Sequence, residues 1–242
     1  MTTPVYEFPW EWYTFSRAKY RLQSRSQVAS RPWLGGRSVY GPHAQLWVTE
    51  LTMSQQEDPT RQEIAAFFGR LDGQAGLIRI SDPTRLRPWY DRDVTPTRET
   101  FTDATVFTDA TGFESGYLPP DVYVLTAADQ GDNTIVLGGF PASTAGVLTR
   151  GDLLQVKPNG IPGNCPNLYE VMVGAASNSD GEIGVEIRPR LRMGIAAGDQ
   201  VSLRYPSTVF RLIDDDQGSI EMTPPVVGNL GFSLIEALDQ IP

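Results

Sequence analysis

With 242 residues, 40% hydrophobic and 20% charged, the chain has the composition of one large or two smaller globular domains, not that of a disordered segment. A net charge of −9 and a pI near 4.7 argue against nucleic acid as the main partner, because phosphate contacts need Lys and Arg. No stretch approaches the roughly 18 consecutive apolar residues of a membrane helix. The first thirty residues lack an apolar core followed by a small-residue cleavage site, so the reading is of a soluble chain without a secretory leader.

The N-terminal segment is dense in aromatics: Tyr6, Phe8, Trp10, Trp12, Tyr13, Phe15 and Tyr20. So much aromatic surface at a chain end either receives a partner or completes its own domain's core. The same end is basic: Arg17, Lys19, Arg21, Arg25, Arg31 and Arg37 stand against Glu7 and Glu11 within residues 1–40. Residues 207–242 reverse the balance, with Arg211 alone against six acids that include Asp214, Asp215 and Asp216. Opposite-sign ends suit neighbour-to-neighbour contacts in an assembly, and equally two solvated faces. From these segments Trp10, Trp12, Phe15, Arg17, Arg31, Trp33, Asp214 and Asp215 are taken as candidate subunit-interface residues.

Gln45–Met53 alternates, setting Leu46 and Val48 against Trp47, Thr49, Leu51 and Met53, which predicts a strand. Asp58 followed by Pro59 is a helix start, N-cap and first helical position. Ile64, Phe67, Phe68 and Leu71 then fall on one amphipathic face, with Gly73 as the predicted C-cap. GLIRISDP (76–83) is a short strand closed by a turn. Residues 84–118 read as a long irregular loop containing a small duplication, TDAT at 102–105 and 108–111.

From Val122 the texture becomes short β-branched and aromatic runs (VYVLTA, TIVLGGF, DLLQV, LYEVMVGAA, IGVEIRP, QVSLRY) punctuated by QGDN, RGD, KPNGIPGN, NSDG and AAGD. Six such runs predict a small barrel or sandwich. The last segment, from Ser207, supplies two more strands. Its TVFRLIDDD shares the texture of GLIRISDP, so the two belong to one domain interrupted by everything between them. The fold class is therefore mostly β: a split N-terminal β-domain with one helix (1–83 and 207–242), interrupted by an inserted small β-barrel or β-sandwich (84–206).

Chemistry-bearing motifs are sparse. His43 is the lone histidine and Cys165 the lone cysteine, the latter among turn formers, so neither a His-based triad nor a thiol-based metal site is read. Arg150–Asp152 spells RGD but leads directly into LLQV, as a β-turn would. Asp214–Asp216 lack the spacing of an EF-hand loop and read as a solvated turn. Gly35-Gly36 and Gly138-Gly139 have no following Lys-Ser/Thr, and G-x-S-x-G and H-E-x-x-H are absent. The expectation is a non-enzymatic chain that needs no cofactor or metal.

The order of features resembles the distal tail protein family of siphophages. The resemblance rests on RPWLGGRSVYGPHAQLWVTELTM, on PTRQEIAAFFGRLDGQAGLIRISDP, and on the run from VLTRGDLLQV through LYEVMVGAASNSDGEIGVEIRPRLRMGIAAGDQVSLRYPSTVFRLIDDD. It covers most of residues 30–215 and departs at Ile78 and Ile80, where the family prefers Phe and Leu, and in a long loop after Val156. It implies a belt-forming β-domain interrupted by a barrel or galectin-like insertion. Six copies would form a ring at the tail end of the virion, assembled in the host cytoplasm. The implied partners are other copies of the chain, the tail tube protein and the tail hub or tip protein, with genomic DNA passing through the lumen without specific binding and no membrane. An acidic lumen would repel the DNA phosphates. The alternative function is a carbohydrate-binding β-module of a tail tip, with Trp89 and Tyr90 as stacking residues in the long loop.

Overall fold

The computed structural model describes residues 4–12, 14–28, 39–53, 58–88, 97–98, 114–115, 122–159, 167–215, 221–223 and 227–240. In chain order the strands begin with β1 (Val5–Glu7), β2 (Phe15–Val28) and β3 (Val39–Met53), followed by the helix α1 (Asp58–Gly69). Then come β4 (Leu77–Ser81), β5 (Thr97–Arg98), β6 (Glu114–Ser115), β7 (Tyr123–Thr126), β8 (Thr134–Gly138) and β9 (Leu153–Lys157). The last are β10 (Leu168–Val171), β11 (Ile183–Arg188), β12 (Gln200–Ser202), β13 (Ser207–Leu212), β14 (Glu221–Thr223) and β15 (Val227–Glu236). The chain divides into two compact units, Met1–Thr84 with Ser207–Pro242, and Arg85–Gly163 with Asn167–Pro206.

The first unit is a mixed sheet in the order β1-β4-β13-β15-β3-β2, with β14 paired to β15. Among the described residues only β1 and β4 run parallel in it. Alternation sorts its side chains. Trp47, Thr49, Leu51 and Met53 of β3, Leu230, Phe232 and Leu234 of β15, and Phe210 of β13 are buried on one face. Helix α1 covers that face with Ile64, Phe67 and Phe68, and the Phe68 and Phe232 rings lie 5.1 Å apart. Each such Leu, Ile, Phe or Met side chain contributes about 1.5–3 kcal/mol relative to exposure.

Two expectations for this unit change. The helix ends at Gly69, not at Gly73. The Arg70 and Leu71 amides donate back to Phe67 and Phe68 carbonyls, tightening the last turn, and Asp72 (φ 50) and Gly73 (φ 65) then carry the chain through two left-handed residues into a 3-10 turn, Gly73–Ala75. Gly76 closes it, since a Cβ there would stand 2.2 Å from the Leu71 carbonyl oxygen. The C-terminal segment also holds three strands instead of two, because β14 precedes β15 and pairs back on it.

The second unit contains a closed six-stranded barrel in the order β10-β11-β8-β7-β12-β9, antiparallel throughout. Closure leaves it no strand edge to protect. Six strands enclose less space than the eight whose interior side chains just fill, and Val124, Leu137, Leu154, Tyr169, Val185 and Ile187 pack it solid. Three of its turns share one device. In Asp129–Asp132, Thr149–Asp152 and Ala196–Asp199 a glycine at φ 91–95 precedes an aspartate whose carboxylate accepts the amide of the turn's first residue at 2.8–3.0 Å. The ends of the unit meet, the Tyr205 amide donating to the Leu86 carbonyl at 2.7 Å.

Within the stretch expected to be an irregular loop, β5 and β6 pair antiparallel, Thr97 opposite Ser115 and Arg98 opposite Glu114. Trp89, Tyr90, both TDAT copies and Cys165 lie outside the described residues. No helix among the described residues is long and apolar enough to cross a membrane.

Candidate assembly surface

The aromatic N-terminus is largely inside its own unit. The chain leaves β1, makes a 3-10 turn at Trp10–Trp12 and returns to the sheet at Phe15. This folds Phe8 (3% exposed) and Trp12 (8% exposed) against Phe67, with ring centroids 5.8 and 5.6 Å away, and brings Phe15 onto Phe8 at 5.9 Å. Trp12 is therefore a core residue, and Phe15 is half-buried beside it. Trp10 lies in the same 3-10 turn. Arg31 and Trp33 fall outside the described residues.

The described charged candidates, Arg17, Asp214 and Asp215, stay at the surface. Arg17, Lys19 and Arg21 alternate along β2 and so share the sheet face turned away from α1. Glu50 of β3 lies opposite Lys19. Its carboxylate accepts Lys19 Nζ at 3.1 Å through both oxygens and Arg21 Nη2 at 3.4 Å. The Lys19 hydrogen bond, joined by the charges of Lys19, Arg21 and Arg17, holds the Glu50 carboxyl below the usual carboxylate range against an opposing desolvation. Three cations thus answer to one carboxylate.

On that face a shallow cleft of about 440 Å³ runs across the strands. Val48 and Ile235 form its apolar floor, with Arg21 and Glu50 towards β2 and Arg211 and Ile213 towards β13. Arg211 is paired with Asp239, and Arg79 with Glu7 at 3.0 Å. Past β13 the chain turns through exposed Ile213, Asp214 and Asp215. Asp215 Oδ1 accepts the Gln74 amide at 2.8 Å, and Gln74 Nε2 donates to the Ile213 carbonyl at 2.8 Å, so the acidic turn is fixed to the turn after α1. Gly73 leaves room for that carboxylate, as a Cβ there would lie 2.4 Å from Asp215 Oδ1. No group of three or more His, Cys, Asp or Glu able to hold a metal ion occurs among the described residues.

Two further features bear on assembly. Strands β2 and β3 pair from Phe15 opposite Met53 to Val28 opposite Val39, whereas among the described residues β15 accompanies β3 over Val48–Met53. The hairpin portion from Val39 to Leu46 extends roughly 25 Å past the strand that supports it. A two-stranded ribbon is marginal alone, so such an arm suits a neighbouring surface. The RGD motif is a structural turn: Asp152 is 6% exposed, with its carboxylate on the Thr149 amide and hydroxyl at 2.8 and 2.9 Å.

The arrangement is built for ion pairing and strand-edge hydrogen bonding. The sequence reading took Arg17 as an interface candidate but not its neighbours Lys19 and Arg21, nor Glu50, although the R-x-K-x-R spacing over a strand was the signal. No protein-family model matches the chain, and no curated protein matches its sequence.

Proposed function

We propose that this chain is a structural, non-catalytic subunit that forms a ring at the distal end of a bacteriophage tail, joining the tail tube to the hub and receptor-binding apparatus. The observation that carries the reading is the topology: paired sheet strands β4 and β13 are separated in sequence by a closed barrel. This is the organisation that the resemblance of residues 30–215 implies. The projecting β2–β3 hairpin and the segregated charges of β2 and the Asp214–Asp215 turn supply the unlike surfaces that a head-to-tail ring requires. Its work is mechanical: to hold neighbours in register around a channel. Light scattering with negative-stain imaging of the purified chain tests this. Rings of about six copies around an axial hole are expected, and a monomer at every concentration and salt removes the reading.

A carbohydrate-binding module is the second reading. It is favoured by Tyr123, 38% exposed on the barrel wall with its ring 3.0 Å from where a Cβ on Gly138 would stand. Glycan-array binding abolished by Tyr123→Ala supports it, and an array without hits excludes it.

A further inference from the structure

We propose that copies of this chain meet through β2, whose cation row Arg17, Lys19 and Arg21 receives the acidic turn Asp214–Asp215 of the next copy. The inference deepens the ring reading and rests on it.

Strand β2 ends the strand order, and among the described residues no strand pairs with its outer edge. At 14 residues it is a long edge of the kind that templates pairing with another chain unless something covers it. Its cations Arg17, Lys19 and Arg21 are in excess locally, three against Glu50, although the whole chain has net charge −9. An acidic occupant fits that excess, and the chain itself presents one. The Asp214–Asp215 turn follows β13, on the other side of β15 and β3 from β2, and Gln74 holds it in place. One sheet thus carries a basic edge and, three strands further in, an acidic turn. Unlike patches that complement each other make a heterologous contact, which repeats head to tail and closes into a ring when the rotation allows.

The lysine content makes a direct test practicable, since Lys19 and Lys157 are the only two lysines. Equal amounts of unlabelled and 15N-labelled full-length chain are mixed, treated with a water-soluble carbodiimide that joins carboxylates to amines, and digested for mass spectrometry. Mixed-isotope peptide pairs joining Lys19 to Asp214 or Asp215 are expected. In parallel, Arg17→Glu and Asp214→Lys should each weaken self-association about tenfold, and the two together should restore it. Circular dichroism confirms that each variant is folded. If the wild type forms rings but gives no mixed Lys19 pairs and ignores both substitutions, this contact is overturned while the ring reading stands. If the wild type neither associates nor gives mixed pairs at any concentration, both fall.

Discussion

Glu236, near the end of β15, accepts the backbone amide of Trp47 at 3.0 Å, so a buried carboxylate completes the hydrogen-bond ladder of β3. Its other oxygen accepts the Thr208 hydroxyl of β13 at 3.2 Å. One side chain therefore ties together three strands that are far apart in sequence, and truncating it leaves two buried donors without their acceptor. Glu236→Ala should lower unfolding free energy on the order of 3 kcal/mol, and Glu236→Gln less, because its amide oxygen replaces one acceptor. Urea titrations of both variants check the order. Equal losses would mean that packing, not hydrogen bonding, sets the value of this position.

The three Gly-Asp turns of the barrel provide an internal comparison. Asp199 is buried, and its two oxygens accept the Ala196 amide at 2.8 Å and the Asn159 amide at 2.9 Å, while Asp132 is exposed and accepts the Asp129 amide at 3.0 Å. Asp199→Ala should cost about 2–3 kcal/mol and Asp132→Ala about 0.5–1 kcal/mol. Denaturant midpoints give the ranking, and a larger loss at Asp132 would contradict this account of the turns.

Replacing the glycine of the same turns tests the backbone. Gly198 has φ 91 and open space where a Cβ would go, so Gly198→Ala meets no clash but forces a side chain into a conformation that L residues avoid. A loss of about 1–2 kcal/mol is expected in thermal unfolding. Gly184, with equally open space and no left-handed φ, should accept alanine with little change.

Glu50 sets a pH dependence. Its carboxyl titrates below the usual range because Lys19 hydrogen-bonds the ionised form and the neighbouring cations favour it. A folded-state value below the unfolded one means that the contribution is fully present above the unfolded value of about 4.3 and disappears as pH falls through the lowered folded value. The wild type should therefore exceed Glu50→Gln in stability by a constant amount from pH 6 to 8, with the gap closing in acid and shrinking in high salt. A gap that widened on acidification would reverse the sign of this assignment.

The barrel was the most legible part of the chain because each of its strands is a short β-branched run with a turn at either end, and such turns are written in local chemistry. The likeness of GLIRISDP and TVFRLIDDD has a physical cause as well: the two lie side by side, Ile78 opposite Phe210 and Ile80 opposite Thr208, and so answer to the same neighbours. The end of α1 was misplaced because Asp72 adopts the left-handed conformation before Gly73 does, a choice imposed by closure of the turn over Leu71 and not by residue preference. The aromatics at Phe8 and Trp12 look the same in sequence whether they face a partner or α1. The 3-10 turn that decides between these is a tertiary outcome. Strand β2 was missed as a strand even though Ala18, Tyr20 and Leu22 alternate with its cations, because its charge drew the reading towards a surface segment.

The meeting of Tyr205 with Leu86 has a bearing on the order in which the chain folds. Strand β13 cannot dock on β4 until a stretch of more than a hundred residues has been closed into a loop. A completed barrel pins its own ends together, shrinking that loop to a few residues on each side and sparing about 2 kcal/mol of closure entropy. The barrel is in this sense a clasp: once it is closed, the sheet, with whatever it grips, has chain ends already held within reach of each other.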